Sequence, residues 1–455
     1  MGYNVSDLEK WNEKIEEAAK EYGLDYYTQE FEIIGYNEML SHEAYTGMPS
    51  RYPHWSFGKS YEKNKTLYSL NLTGLPYEMV INSDPCIAYL MRDNTLLLQI
   101  LTMAHVYGHN DFFKNNRLFV EGTRAKSTVE MFKLGADTIR GYINDPSIGY
   151  EEVERVVDAA HSIRYQVSRV AGEKDISQDE IRDGLLKEYM EKLQKRDDLN
   201  FNDPIEKPDL TKFPLEPEDD LMKFIIKYGQ LEEWEKSILE IVRREMLYFI
   251  PQIETKIMNE GWASYSHYNI LKSLNLSQEL HFEFLKRHND VIASMPGRLN
   301  PYYIGFKIFE YLDKNYGKDR IFQVRKMDRD NSFLRRYLTE DLCRELNLFE
   351  YVKSGRDYLV SEVSDENGWK KIRDSLADST GIGTIPYIRV KDLNLKTYTL
   401  TLEHVYNGRT LDRIYARETL KKLYDLWKHK IKLLTKDKEG NELTFICEGK
   451  DKITM

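Results

Sequence analysis

Apolar residues recur at helical spacing through most of the chain, and this pattern limits the possible folds more than any other feature. Residues 94–113 (NTLLLQILTMAHVYGHNDFF) predict a long helix that begins at an Asn or Thr cap. The same spacing predicts one or two helices in residues 1–45, helices around 121–142 and 150–168, and strong helices in 221–274, 278–293 and 301–315. The sequence therefore predicts a mainly helical protein.

Three segments depart from this pattern. In residues 47–84, Gly, Pro, Asn and Ser interrupt aromatic and β-branched residues, which predicts short strands and long ordered loops. Residues 171–220 have the weakest apolar signal and a Pro- and Asp-rich second half, which is typical of a surface excursion or linker. After residue 380, alternating apolar residues, a helical stretch and two further strands predict a compact β-β-α-β-β unit.

The length of the chain supports more than one folding unit. Its 455 residues exceed what one ordinary hydrophobic core serves. We therefore predict an α+β, mainly helical protein: a large helical domain of residues 1–380 with a few short strands, which carries the 171–220 excursion, and a small C-terminal α/β unit of residues 381–455.

Charge and apolar run length exclude some partners. A net charge of −10 and a pI of about 5.7 disfavour nucleic acid, which requires a basic surface. The sequence contains no run of about 18 uninterrupted apolar residues, so we expect no membrane span. The acidic, amphipathic N-terminus does not fit a signal peptide, and three widely spaced cysteines without a CxxC motif fit a reducing compartment. These features predict a cytoplasmic protein.

Two histidines in the long helix are the first candidates for chemistry. His105 and His109 are four residues apart, so both imidazoles lie on one helix face within reach of a single metal ion. A hydrogen-bonded pair of core or cleft histidines explains the same spacing. Two later segments favour the metal, because they supply polar groups in an apolar setting.

The first of these segments is residues 258–267 (MNEGWASYSH). Glu260 lies beside Gly, Trp and Ala on a helix that must be partly buried, and a buried carboxylate requires a partner. The second segment, residues 295–307 (MPGRLNPYYIGFK), brings Arg298 and one or two tyrosine hydroxyls to the start of a helix.

Six blocks of the sequence resemble the SpoVR (stage V sporulation protein R) family. They are HWSFGKSY (54–61), LPYEMVINSDP (75–85), AHVYGHNDFFKNN (104–116), KIMNEGWASYSHY (256–268), MPGRLNPYYIGFKIF (295–309) and LEHVYNGRTLDRIYARETLKKLYDLW (402–427). The resemblance implies a part in spore formation, specifically in the spore cortex, although the family has relatives in bacteria that do not sporulate. It supplies no defined reaction.

The order of the site motifs is also similar to that of some zinc carboxypeptidase-like proteins. That resemblance implies a zincin-like helical domain with zinc held by His105, His109 and Glu260, and Tyr302 stabilising an oxyanion. It departs from the HExxH pattern, because Val106 stands where the glutamate that activates water is expected. Two histidines and one carboxylate are equally the ligands of non-haem Fe(II), so iron is the alternative metal.

Other residues are candidates for supporting roles. Glu78 and Asp111 are candidates for the missing general base or for a partner of the metal-bound imidazoles. His54, Trp55 and Arg298 are candidate substrate-binding residues. Asp158, His161 and His267 are possible further ligands, although helix-surface or outer positions suit them better. The remaining histidines have polar neighbours and are predicted to be solvated: His42, His281, His288, His404 and His429.

Two functional hypotheses follow. One is a metal-dependent hydrolase-like protein that acts on an amide or peptide-type bond, with a peptidoglycan-related substrate suggested by the family alone. The other is a non-catalytic regulator or scaffold that a metal stabilises and that binds an unknown protein partner.

Overall fold

The computed structural model describes residues 3–70, 77–172, 176–199, 205–293, 299–354, 357–363, 365 and 368–455. The chain divides into two compact units, each built from two stretches of sequence. The first unit contains residues 1–140 and 248–384, and the second contains residues 141–247 and 385–455. Among the described residues, no helix combines the length and the apolar character needed to cross a membrane.

Helices dominate the described chain, and a few short strands accompany them. The helices are α1 Val5–Glu21, α2 Tyr36–Ala44, α3 Trp55–Ser69, α4 Leu96–Asn115, α5 Arg117–Gly122, α6 Thr128–Asn144, α7 Tyr150–Ser162, α8 Gln178–Leu199, α9 Leu221–Tyr228, α10 Glu233–Glu254, α11 Lys256–Ser273, α12 Gln278–Val291, α13 Pro301–Tyr316, α14 Lys318–Met327, α15 Asp330–Tyr337, α16 Glu340–Glu345, α17 Gly368–Asp378 and α18 Arg413–Trp427. The strands are β1 Gln29–Ile34, β2 Glu78–Ile81, β3 Cys86–Met91, β4 Phe349–Ser354, β5 Asp357–Val363, β6 Ile388–Asn394, β7 Thr399–His404, β8 Ile431–Lys436, β9 Glu442–Cys447 and β10 Ile453–Thr454. The predicted α+β, mainly helical class is confirmed.

The prediction of strands and loops for residues 47–84 is wrong over α3. His54 caps this helix, since its Nδ1 accepts a hydrogen bond from the Ser56 N–H at 3.3 Å. Phe57 is the one buried side chain of α3. A helix that buries so little shows no apolar periodicity, which explains the error. Residues 1–45 likewise contain the strand β1 between two predicted helices.

A three-stranded sheet in the first unit brings β2 toward α4. Its order is β1-β3-β2, in which β1 runs parallel to β3 and β2 runs antiparallel to it. Strand β3 is almost wholly buried and leads through a short turn into α4. Thr95 caps α4 by accepting from the Leu98 N–H, as the sequence predicted for an Asn or Thr cap. Glu78 at the start of β2 contacts this helix (below).

Glycines allow α4, α11 and α13 to pack with their backbones close together. A Cβ atom on Gly108 of α4 would lie 2.7 Å from the Ala263 Cα of α11. A Cβ on Gly261 of α11 would lie 2.3 Å from the Gly305 Cα of α13. Because real Cβ atoms do not approach so closely, only glycine fits at these crossings. The YGH, EGWA and YIG motifs are thus explained in part by helix packing.

The second unit contains a five-stranded sheet of order β10-β9-β8-β7-β6. The pairs β6–β7 and β8–β9 are antiparallel, and α18 connects β7 to the parallel strand β8. This is the predicted β-β-α-β-β unit with one short extra strand. His404, predicted to be solvated, is buried and shares a 2.9 Å hydrogen bond with the Thr435 hydroxyl, so that prediction is wrong. Its period-2 position on β7 faces the sheet's core.

Candidate metal centre

Helix α4 carries the two predicted histidines into the core of the first unit. All but three of its twenty residues are buried, and His105 and His109 are 3% and 7% exposed. Their ring centroids are 4.6 Å apart, and the rings are nearly perpendicular. The i, i+4 spacing therefore stacks both imidazoles on one face of α4, as the sequence predicted.

Helix α11 brings Glu260 to the same point. Its Oε2 lies 3.8 Å from His105 Nε2 and 3.5 Å from His109 Nε2. Glu260 directly precedes Gly261, the residue at which α11 crosses α13. Both His105 Nε2 and Glu260 Oε2 are buried without a hydrogen-bond partner among the described residues. Buried polar atoms are normally hydrogen-bonded, and two unpartnered atoms that lie 3.8 Å apart fit a cation bound between them.

Strand β2 supplies a second carboxylate. Glu78 Oε1 lies 3.9 Å from His105 Nε2, and one ligand atom each from Glu78, His105 and His109 lies within 4.8 Å of the others. These three residues are therefore a group that could hold a metal ion. The sequence analysis named Glu78 as a candidate base or outer partner, and the structure brings its carboxylate to the edge of the histidine pair.

Tyr302 lies in the first turn of α13, beside the cluster. The Asn300 side chain caps this helix by accepting from the Tyr302 and Tyr303 N–H groups. The Tyr302 ring stacks on His105 with centroids 6.1 Å apart. The Glu260 carboxylate, together with burial and Glu78, raises the pKa of Tyr302 above its usual value, so the phenol stays protonated and can donate.

The two carboxylates have opposite electrostatic settings. Burial raises the pKa of Glu78 to about 7, an effect that His105 opposes and Glu260 reinforces. Burial also acts to raise the pKa of Glu260, but the nearby His105 and His109 outweigh it, and the pKa is lowered. Burial, with His105, lowers the pKa of His109 to about 4. The cluster therefore combines an ionised carboxylate with a neutral imidazole at neutral pH.

Sequence reasoning missed Asn259, which lies behind His109. It favoured a helix-surface or an outer position for His267, and the structure places His267 in an outer position behind His105. Asn259 Oδ1 lies 2.9 Å from His109 Nδ1. His267 Nδ1 lies 2.9 Å from His105 Nδ1, and His267 is fully buried rather than at the helix surface. The signal was present in the sequence, because Glu260 and His267 are seven residues apart and share a face of α11.

His288 was predicted to be solvated, and that prediction is wrong. Its Nδ1 lies 2.9 Å from His267 Nε2, and the residue is 3% exposed. The rings of Tyr268, Phe284 and Phe306 surround it. Its charged neighbours in sequence face away from this aromatic pocket, which explains the error.

Asp111 lies on the opposite side of α4 from His109, because residues two positions apart in a helix are rotated by about 200° relative to each other. Its Oδ1 accepts from the Asp25 N–H at 2.8 Å and its Oδ2 from the Trp262 indole at 2.8 Å. Arg325 Nε lies 3.4 Å from Oδ2. These contacts give Asp111 a role in fastening helices together.

The predicted substrate-binding residues have separate positions. His54 is the cap of α3 and contacts the rings of Trp55 and Phe57. Trp55 is 52% exposed. Arg298 lies outside the described residues. Of the possible further ligands, Asp158 pairs with Lys422 at 2.8 Å within the second unit.

Comparisons with known proteins cover most of the chain. A family model described as SpoVR like protein matches residues 2–385, and one described as SpoVR-like C-terminal domain matches residues 386–438. An uncharacterised protein of Escherichia coli (strain K12), YcgB, is 34% identical over 95% of this chain and 92% of its own length. No solved structure matches the chain.

Proposed function

The chain belongs to the SpoVR family, and from this premise we propose that it is a cytoplasmic, sporulation-associated protein of spore cortex formation that binds a divalent metal, zinc in the first place, and has hydrolase-like chemistry toward an amide or peptide-type bond. The family gives the link to sporulation. The geometry of the cluster supports the proposed metal and the proposed chemistry.

One observation is the main support for metal binding. His105 Nε2 and Glu260 Oε2 are buried, lack hydrogen-bond partners, and lie 3.8 Å apart, and His109 Nε2 lies 3.5 Å from the same oxygen. Two imidazoles and a carboxylate from separate helices are a ligand set that zinc accepts. The same set is used by non-haem iron, which remains the alternative metal.

The proposed ligands are His105, His109 and Glu260. A bound zinc ion polarises a carbonyl group and lowers the pKa of a coordinated water molecule. Glu260 suits a ligand because its neighbours keep it ionised. Tyr302, protonated and stacked on His105, is suited to donate a hydrogen bond to an oxyanion.

Glu78 is the proposed general base. The glutamate expected beside the first histidine is replaced by Val106, which is fully buried and cannot accept a proton. Glu78 comes from β2 instead and lies 3.9 Å from His105 Nε2. The surroundings raise the pKa of Glu78 and lower that of Glu260. Two carboxyl groups whose pKa values are moved apart in this way are typical of acid–base pairs.

A second function is favoured by Val106 itself. Without the usual base on α4, the cluster can serve as a structural metal site in a regulator or scaffold that binds a protein partner. The ion would then stabilise the native state, because it binds the folded chain and not the unfolded one.

Metal analysis tests the shared part of both functions. Purified protein dialysed against Zn²⁺ is expected to retain about one zinc ion per chain. His105→Ala and Glu260→Ala are expected to weaken zinc binding by at least about a hundredfold, more than the loss of an outer partner causes. His281→Ala is the matched control, because His281 is exposed on α12. Wild-type protein that holds no metal would refute the proposal.

Melting and turnover separate the two functions. Chelation is expected to lower the melting temperature, since zinc at a hundred times its dissociation constant stabilises by about 2.7 kcal/mol. Turnover of a peptide or amide substrate that is lost in Glu78→Gln supports the hydrolase. A melting shift with no turnover across the substrate panel supports the regulator.

A further inference from the structure

Three buried histidines from three helices form a continuous file behind the cluster. His105 Nδ1 of α4 lies 2.9 Å from His267 Nδ1 of α11. His267 Nε2 lies 2.9 Å from His288 Nδ1 of α12. All three residues are at most 3% exposed. His105 Nε2, at the open end of the file, is the orphaned atom that faces the carboxylates.

Proton counting allows only two arrangements of this file. Each nitrogen–nitrogen contact requires one proton, donated by one ring and accepted by the other. His267 and His288 are buried, and burial disfavours the charged imidazolium, so each ring is neutral and carries one proton. His267 must therefore donate through one nitrogen and accept through the other. In consequence, the tautomers of His267 and His288 are the same, and that of His105 is the opposite.

We infer that His267 and His288 are positioning residues that hold His105 in the tautomer whose Nε2 is free to bind the metal. In this arrangement His105 donates from Nδ1 to His267, and His267 donates from Nε2 to the Nδ1 of His288. The other arrangement leaves a proton on His105 Nε2, where a cation cannot bind. The positioning role rests on the proposed metal site. The pairing of tautomers does not depend on a metal.

The file differs from the usual partner of a metal-bound histidine. That partner is most often a carboxylate, a backbone carbonyl or water. A neutral imidazole orients the ring without adding negative charge, so Glu260 and Glu78 remain the acidic groups near the site. The partner of His109 is the neutral amide of Asn259, so both histidines of the pair are oriented without a charge.

Zinc affinity tests the positioning role. His267→Leu removes the acceptor and is expected to weaken zinc binding by about 10–100-fold, the usual effect of losing such a partner. His267→Asn keeps an amide oxygen near the position of Nδ1 and is expected to retain most of the affinity. His288→Leu, one step further away, is expected to have a smaller effect than His267→Leu. Equal affinity in wild type and His267→Leu would overturn the inference while leaving the metal site intact.

Nitrogen NMR of the metal-free protein tests the pairing without any metal. With ¹⁵N-labelled histidine, ten residues contribute signals, and single His→Asn variants assign the three of the file. His105 is expected to carry its proton on Nδ1, and His267 and His288 are expected to carry theirs on Nε2. Any other combination overturns the inference, whether or not the protein binds zinc. In zinc-loaded protein, His105 is expected to carry its proton on Nδ1.

Discussion

Helices α4 and α11 meet in two buried polar clusters that differ in one respect. In the first, around Asp111, both carboxylate oxygens accept hydrogen bonds, from the Asp25 N–H and the Trp262 indole, and Arg325 lies 3.4 Å away. Burial raises the pKa of Asp111 to about 6, against the opposing charge of Arg325. Among the described residues, the atoms of this cluster that lack a hydrogen-bond partner are Arg325 Nε and Nη1. Both are donors on a cationic group, so they cannot bind a metal ion.

In the second cluster, around His105, burial is similar, but the atoms without hydrogen-bond partners are a carboxylate oxygen and an imidazole nitrogen, which can bind a cation. His105 Nε2 and Glu260 Oε2 have no such partner among the described residues, and Glu78 Oε1 approaches no closer than 3.9 Å to His105. The difference teaches that burial and a shifted pKa do not by themselves identify a binding site. Buried atoms that have a lone pair and no hydrogen-bond partner are the better indication of a cation site, because such atoms normally have a partner.

The largest expected effect comes from the first cluster, around Asp111. Asp111→Asn keeps the shape of the side chain but turns one oxygen into an amide that faces N–H donors, and it leaves the Arg325 charge without its counter-ion. We expect the free energy of unfolding to fall by about 3–5 kcal/mol, the usual cost of breaking a buried ion pair. Urea unfolding at about pH 7.5, above the raised pKa of Asp111, measures this change. A loss below about 1 kcal/mol would contradict the structural role.

The same two clusters show what the sequence could and could not predict. The position of α4, its Thr cap and the shared face of His105 and His109 follow from local spacing, and local spacing is what periodicity reports. That Glu260 lies near them was inferred from a resemblance and from the need of a buried carboxylate for a partner. Asp111 was a candidate base because it lies in the same block, although its offset from His109 directs it to the opposite face.

Other features depend on tertiary contacts that no single segment contains. His288 has polar sequence neighbours, yet α12 turns it into an aromatic pocket beside His267. The glycines of α4, α11 and α13 allow neighbouring helices to cross closely, and such a crossing can be recognised only when both helices are known. Helix α3 was missed because a mostly exposed helix leaves no apolar period to detect.

An intermediate effect is expected from the pH dependence of the second cluster. Glu78 has a pKa of about 7 in the folded protein, against a usual value of 4.5. The folded state therefore binds this proton more tightly than the unfolded state does. The resulting stability is fully present below about pH 4.5 and is lost as the pH rises through about 7.

Glu78→Gln isolates this contribution in metal-free protein. Since the side chain is partly exposed and coupled to Glu260, we expect a contribution on the order of 2 kcal/mol rather than the full value of the shift. The difference in unfolding free energy between wild type and variant is measured at about pH 5 and about pH 8. Relative to wild type, the variant should be more stable at about pH 8 than it is at about pH 5. A difference that is independent of pH would mean that Glu78 is not held protonated in the fold.

The smallest expected effect on stability comes from Glu260→Gln, the matched partner of Asp111→Asn. Each substitution turns a buried carboxylate into an amide of the same shape, one in each of the two clusters. Glu260 Oε2 has no hydrogen-bond partner to lose, so the unfolding free energy of metal-free protein should change by less than about 1 kcal/mol. Zinc binding should nevertheless weaken strongly in this variant and stay unchanged in folded Asp111→Asn, as isothermal titration would show. If Glu260→Gln were as destabilising as Asp111→Asn, the second cluster would be held together by its own contacts, and the contrast between the two clusters would disappear.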